Sequence, residues 1–393
     1  MRRVYMDHNA TTPVHPEVLA AMMPFFQDQF GNASSIDWAG REVKKYLDEA
    51  REKVAALLNA SPEEVIFTGC GTESDNMAIK GVAFALRERG QHIITTQVEH
   101  HAVLHTCQFL EKIGYKVTYL PVDGDGLIDL EELRRSITDE TVLITIMFAN
   151  NETGTIFPVQ EIGEIARERG VIFHTDSVQA VGKLPIDLQR LPVDILSLSG
   201  HKLYSPKGIG AQYIRKGTKM TSLIHGGAQE RNRRAGTENI PYIIGLGKAS
   251  EIALRDFQKR RTHLTALRDR LHQEFIQRIP HLKLNGHATQ RLPNTLNLSF
   301  LYIEGESVLL NLDLEGIAVS SGSACTSGSL EPSHVLLAMG IPHEIAQSAI
   351  RFSLGWNNTE EDVDYVVEVL PRIVQRLRDI SPLYHKMTST VNT

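Results

Sequence analysis

The chain has 393 residues, of which 42% are hydrophobic and 22% charged, and a formal net charge of −6. That is room for one large domain and a smaller one, and the acidic surplus argues against a nucleic-acid binder, which more often carries a basic excess. Three cysteines, Cys70, Cys107 and Cys325, form no C-x-x-C pair, which excludes a disulfide framework or a zinc ribbon and fits a reducing compartment.

The N-terminus reads MRRVYMDHNATT, with no apolar run after its arginines, so no signal peptide is expected. The strongest apolar stretch, Val142–Ala149, is far shorter than the roughly 20 residues a membrane span needs. A soluble cytoplasmic protein, without membrane or nucleic-acid contact, is expected.

In chain order, short β-rich runs alternate with helical patterns. Strands are expected at 65–68, 92–96, 117–122, 142–149, 171–176, 195–199 and 210–215, with helices at 74–89, 130–137 and 160–169. Such alternation predicts an α/β fold whose mostly parallel sheet is covered on both faces. Past about residue 250 the pattern changes. One long amphipathic helix over roughly 252–278 is followed by strands near 295–300, 317–320 and 350–354, a helix near 307–314 and a closing helix over 360–378. The expected division is a large unit over 15–255 and a smaller α+β unit built from 1–14 and 256–393, which carries the Gly/Ser-rich stretch 320–329.

Four segments carry chemistry. Ser199-Gly200-His201-Lys202 follows the apolar run ending at Leu198, and the C-terminal ends of strands are where open α/β sheets bind ligands. Desolvation there makes a lysine usable as an amine nucleophile, although a lone loop lysine is more often solvated. Asp176 ends another apolar strand. A buried acid needs a cation, and a protonated pyridine nitrogen is one, the arrangement by which pyridoxal-phosphate enzymes keep the ring an electron sink. A helix cap or a loop ion pair is the plainer alternative. Lys202 and Asp176 together make pyridoxal 5'-phosphate the leading cofactor.

The third segment, Phe67-Thr68-Gly69-Cys70-Gly71-Thr72-Glu73-Ser74, runs from a strand through glycines into a helix, a setting for a phosphate or for a simple cap. The fourth, Ser320 to Ser329, holds Cys325 amid glycines and serines. Such a stretch cannot pack a core and should be mobile, which suits a reactive thiol as well as an incidental one; thiolate chemistry needs activation from the fold or the cofactor. Arg351 opens the apolar run IRFSLG, where it either clamps a carboxylate or makes an ordinary ion pair. His100 lies past the strand at 92–96. The Gly226–Asn239 region, with its arginines, suits anion binding or a subunit contact. Cys70 and Cys107 are taken as packing residues.

Colinear motifs then span nearly the whole chain: MDHNATTPV, FGNASS, TGCGTESDN, TQVEHHAVL, ANNETGT, HTDSVQAVGK, SGHKLYSPKGIG, HGGAQERNRRAGTEN, SSGSACTSGSLEPSHV and RFSLG. In these the sequence resembles the cysteine desulfurases, and closely their nitrogen-fixation (NifS-type) branch. The resemblance implies the aspartate-aminotransferase fold (fold type I) as a homodimer with sites at the subunit interface. It implies that Lys202 holds the cofactor covalently, Asp176 pairs with the ring nitrogen, Gln179 bonds the ring hydroxyl, and His100 stacks on the ring and moves protons. Gly71, Thr72, Ser199 and His201 are expected at the phosphate, with Thr237 reaching across from the other subunit. Asn151 is expected beside cofactor and substrate, and Arg351 at the substrate carboxylate.

Cys325 is expected to take sulfur from L-cysteine as a persulfide, releasing alanine, and to pass it to an iron–sulfur scaffold protein, touching a cluster there only transiently; no resident metal is implied. Nitrogenase cluster assembly is one destination. The chain departs from the family's usual residues at His8, Ala33, Asp37 and Ser205, none of which is the lysine, the acid or the nucleophile. The alternatives are a selenocysteine lyase, another enzyme of the aminotransferase fold, or an idle scaffold.

Overall fold

Seven short strands form the central sheet, six of them buried along almost their whole length and the edge strand Lys116–Leu120 only at Leu120. In spatial order they are Val65–Thr68, Gly210–Ile214, Ile195–Ser199, Ile172–Asp176, Thr141–Thr145, His92–Thr96 and Lys116–Leu120. All pairings are parallel except those of Gly210–Ile214, which runs antiparallel to both its neighbours. Near-continuous apolar and β-branched runs are what a sheet covered on both faces demands. The structure, a computed structural model, describes residues 2–321 and 331–391.

Adjacent residues of one strand point to opposite faces, and the packing follows that alternation. Ile93, Leu143 and Ile195 pack with Ala78, Val82, Val103 and Leu110 of the helices Gly71–Ala85 and His101–Lys112. Ile94, Ile144 and Leu196 turn the other way, into a core shared with Val43, Leu47, Ile243 and Leu246. Those last four come from the helices Trp38–Leu58 and Ile240–Arg255.

A second core gathers Val4 and Met6 with Leu264, Leu271, Phe275, Leu298, Phe352 and Leu370. It covers the antiparallel strands Leu282–Leu284, Thr295–Phe300 and Ala349–Ser353, with the helices Phe257–Arg278 and Glu360–Asp379 packed together. Val335, Leu336 and Met339, late in the chain, join the first core instead. No helix among the described residues is long and apolar enough to cross a membrane.

Two expected elements need correction. The long helix over 252–278 is two: Ile240–Arg255 ends at Asp256, and Phe257–Arg278 starts beyond it. Asp256 has φ −101° and ψ 7°, outside helical geometry, so the periodicity crosses the break while the backbone does not. The strand expected over 142–149 ends at Thr145. Past it the apolar residues remain buried, but the Ile146 and Phe148 amides bond the carbonyls of His174 and Asp176, and the chain turns into the ANNETGT loop.

Candidate active site

A cavity of about 340 Å³ opens at the C-terminal edge of the parallel strands. Lys202, Asp176, His100, Gln179 and Arg351 line it, as do Gly71, Thr72, Ser199, His201 and Asn151. The sequence separates these residues by up to 280 positions (71 to 351); the strand ends bring them together.

Lys202 follows the strand Ile195–Ser199 in a short 3-10 turn. Its Nζ donates to the carbonyl oxygens of Asn9 and Ala10 at 2.5 and 2.7 Å, so the amine lies inside the cavity wall and not in bulk solvent. Asp176 ends the adjacent strand, with Asp176 in register with Ser197. Its Oδ1 accepts from the Val178 N–H at 2.9 Å. Burial pushes this carboxyl up to about 6, opposed by the Val178 amide and the Lys202 charge. Asp75, also on the cavity wall, is raised well above the usual carboxylate range by burial and then by Asp176.

His100 caps the helix His101–Lys112, and its Nδ1 accepts from the Ala102 N–H at 3.1 Å. The proton of the neutral ring therefore sits on Nε2. Burial, then the Lys202 charge, lowers its pKa to about 4, so the ring is neutral near pH 7. His201, bonded through Nδ1 to Thr11 Oγ1 at 3.1 Å, is lowered to about 4 by the same two causes.

The helix Gly71–Ala85 begins where the strand Val65–Thr68 ends, and its first N–H groups face the cavity beside Ser199. A Cβ at Gly71 would meet Val178 Cγ2 at 2.8 Å and Ser199 Cβ at 3.3 Å, so only glycine keeps this approach open. A helix N-terminus whose orphan amides and dipole favour negative charge is a phosphate cradle.

Arg351, 3% exposed, lies on the strand Ala349–Ser353. Of the two expected readings, the structure shows the ion pair: Nη2 pairs with Asp7 Oδ1 at 2.8 Å, Nη1 donates to the Asn151 carbonyl at 3.0 Å, and Nε has no partner among the described residues. Gln179 donates to the Asn9 carbonyl at 3.0 Å and accepts from Lys183 Nζ at 2.7 Å.

Thr237 is exposed and does not line the cavity of its own chain. The loop before it is tied down by Arg234, whose Nε is 2.8 Å from Glu73 Oε1. Cys107 is a packing residue, fully buried, its thiol pushed up by burial. Cys70 is not: it lines the cavity and caps the helix Gly71–Ala85, its Sγ accepting from the Glu73 N–H at 3.4 Å. Cys325 lies outside the described residues.

Sequence reasoning assigned no role to Asn9, Asp7, Asp75 or Lys183. Asn9 is the hub: its carbonyl takes Lys202 and Gln179, and its side-chain amide donates to the Asn151 carbonyl at 3.1 Å. Only the length of the MDHNATTPV motif hinted at this. Lys183, four residues after Gln179, is lowered to about 7 by burial and then by Lys202.

An amine beside a buried acid, a neutral imidazole, a glycine-floored helix N-terminus and a guanidinium fit a phosphorylated, aldehyde-bearing pyridine. The cavity is at the low end of the roughly 300–1,000 Å³ range of ligand pockets. Fold and site thus define a pyridoxal-phosphate enzyme of the aminotransferase kind.

The aminotransferase class-V family model matches residues 4–366. The cysteine desulfurase IscS of Methanosarcina thermophila is 58% identical over 390 residues, 99% of this chain and 96% of that protein. The one from Dictyoglomus turgidum is 56% identical over 381 residues, 97% of each. A solved NifS-like protein superposes with a TM-score of 0.90 at 42% identity, covering 96% of this chain and 100% of the other. A structure described as SspA in complex with cysteine reaches 0.80 at 39% identity, over 89% and 98%. The chain belongs to the class-V aminotransferase family and, within it, to the cysteine desulfurases, enzymes that work with pyridoxal phosphate.

Proposed function

We propose that this chain removes sulfur from L-cysteine, releases L-alanine, stores the sulfur as a persulfide on Cys325 and hands it to an acceptor protein. The observation that carries the reading is the meeting of Lys202, Asp176, His100 and Arg351 in one cavity.

Lys202 would hold pyridoxal phosphate, Asp176 its ring nitrogen, Gln179 its ring hydroxyl and His100 its ring face. Gly71, Thr72, Ser199 and His201 would hold the phosphate, with Thr237 of a second copy. When bound, the cofactor supplies an electron sink. The rest falls to the chain. Arg351 binds the substrate carboxylate, Asn151 flanks it, and Lys202 Nζ and His100 Nε2 handle protons. The thiolate of Cys325 attacks the substrate sulfur: an S–S bond forms, the C–S bond breaks, and the carbon takes the electron pair and a proton to become the methyl of alanine. One sulfur atom moves, and Cys–SH becomes Cys–S–SH.

The acceptor in this reading is an iron–sulfur scaffold, with nitrogenase maturation one destination, and the setting is the cytoplasm. A homodimer is supported by the exposed apolar side chains of Phe26, Phe30, Ile36 and Trp38, which need a cover. The division into 15–255 and 1–14 with 256–393 belongs to the same reading, supported by the second core, which joins Val4 and Met6 to residues from Leu264 onward, while Val335, Leu336 and Met339 pack in the first.

Mass spectrometry after incubation with L-cysteine tests it. Cys325 is expected to gain one sulfur atom as alanine appears; alanine release undiminished in Cys325→Ala would overturn the mechanism. Selenocysteine and an amino-acid/keto-acid pair as substrates separate the lyase and aminotransferase alternatives.

A further inference from the structure

Lys183 lies outside the cavity lining and borders instead a small recess shared with His8, Lys202 and Tyr204. Its Nζ donates to Gln179 Oε1 at 2.7 Å and, at the longer distance of 3.4 Å, to Asn9 Oδ1. An enclosed lysine normally has a carboxylate partner; here both partners are amide oxygens. Enclosing an ammonium on such terms is costly, and burial lowers this one to about 7. What the lysine holds is therefore the feature to explain.

Gln179 does line the cavity. It lies four residues before Lys183, across turns in which the Lys183 and Leu184 amides bond the Ala180 carbonyl at 3.0 and 2.9 Å. Gly182 between them has φ 75°, a conformation glycine adopts freely.

One orientation of the Gln179 amide satisfies both its neighbours. The oxygen faces Lys183, which donates, and Nε2 faces the Asn9 carbonyl, which only accepts, at 3.0 Å. One Nε2 hydrogen goes to Asn9, and the other is left for an acceptor in the cavity. Asn9 cannot give way, because its own donors are fixed. Its N–H meets Ser353 Oγ at 2.9 Å, and Nδ2 meets the Asn151 carbonyl and Thr295 Oγ1 at 3.1 and 2.9 Å. A strong donor at the oxygen end of an amide also strengthens donation from its nitrogen end.

We infer that Lys183 is a positioning residue for the cofactor's ring oxygen: by holding Gln179 Oε1 it keeps the Nε2 hydrogens turned to the cavity, without itself touching the cofactor. The inference rests on Gln179 meeting the ring hydroxyl.

The test follows the cofactor absorbance of the resting holoenzyme against pH, without substrate, in Lys183→Met, Gln179→Met and the double variant. An N–H donor favours a charged oxygen, so its loss raises the midpoint pH. A rise of about one unit is expected for each single variant, the scale of one hydrogen bond to a charged group. Loss of the lysine charge alone would also raise the midpoint, and the double variant separates the two causes. An effect that runs through Gln179 falls below about 0.3 unit once Gln179 is replaced. The other titratable groups of the cavity, Asp75, Asp176, His100, His201 and Arg351, are common to every variant.

Lys183→Gln, which keeps a donor without the charge, is expected to stay near wild type; a rise of about one unit there overturns the anchor. That variant carries the test should Lys183→Met not fold. Equal shifts from Lys183→Met with and without Gln179, or none in either, overturn the anchor alone. No shift in Gln179→Met removes Gln179 from the ring oxygen, and the anchor with it. Cofactor affinity by equilibrium dialysis is expected to follow the same cycle, weakening about tenfold, and decides the matter should the absorbance not change with pH.

Discussion

Asp7 Oδ1 lies 2.8 Å from Arg351 Nη2, an ion pair that ties the N-terminal segment to the strand Ala349–Ser353 across 344 positions of sequence. Asp7 thereby sets the angle at which the guanidinium faces the cavity. Asp7→Ala is expected to raise KM for cysteine about tenfold, the equivalent of about 1.4 kcal/mol, with kcat changed less than about threefold. Steady-state alanine release measures both. An unchanged KM would separate Arg351 from substrate binding.

The Arg51–Glu230 ion pair is almost fully enclosed, with side chains 6% and 3% exposed. It is two-pronged, at 2.7 and 2.8 Å, and Glu230 also accepts the Phe67 N–H at 3.0 Å. Removing one partner strands the other. Glu230→Ala is expected to destabilise by about 3–5 kcal/mol, the range for a broken buried pair. Arg51→Met combined with Glu230→Leu is expected to recover part of that. Urea unfolding of the three variants checks it.

Glu99 gives a signed pH dependence. Burial raises its carboxyl from 4.5 to about 8, against the bonds from the Met147 amide and the Thr96 hydroxyl. Between those values the folded chain holds a proton that the unfolded chain has released. Stability therefore falls as pH rises from about 4.5 to about 8. Glu99→Gln, neutral throughout, is expected to flatten that part of the thermal-midpoint profile. Parallel profiles for the two proteins would contradict it.

Gly71 is held to glycine by sterics. The 2.8 Å approach to Val178 leaves no room for a methyl group beside the phosphate cradle. Gly71→Ala is expected to weaken pyridoxal-phosphate binding about 5- to 150-fold, as about 1–3 kcal/mol of overpacking implies. Equilibrium dialysis of the cofactor measures it.

How much of this could be read beforehand depended on how local each signal was. Lys202, Asp176 and the Gly71–Thr72 turn announce themselves because each closes a strand of apolar residues with a chemically costly group. The sheet was legible for the same reason, since a strand buried on both faces has few sequences open to it. Asn9, Asp7 and Lys183 carry no such mark. Asn9 meets Lys202 across 193 positions, and Lys183, whose partners are the side-chain amide oxygens of Gln179 and Asn9, looks like any surface lysine until the chain is folded. Asp256 shows the opposite failure: helical periodicity runs through a position where the backbone leaves the helix. Cys70 misled too: taken as a packing residue, it caps the helix at the cavity, a role set by the turn it stands in and not by its residue type.

The central claim is that the Lys202 amine, set in the cavity beside Asp176, is where the cofactor is covalently held. Borohydride makes a lysine–aldehyde link permanent, so the purified holoenzyme can be reduced, digested and sequenced by mass spectrometry. The pyridoxyl mass is expected on the peptide containing Lys202 and is expected to be lost in Lys202→Ala. The mass on Lys183 or any other lysine, or its retention in Lys202→Ala, would contradict that claim.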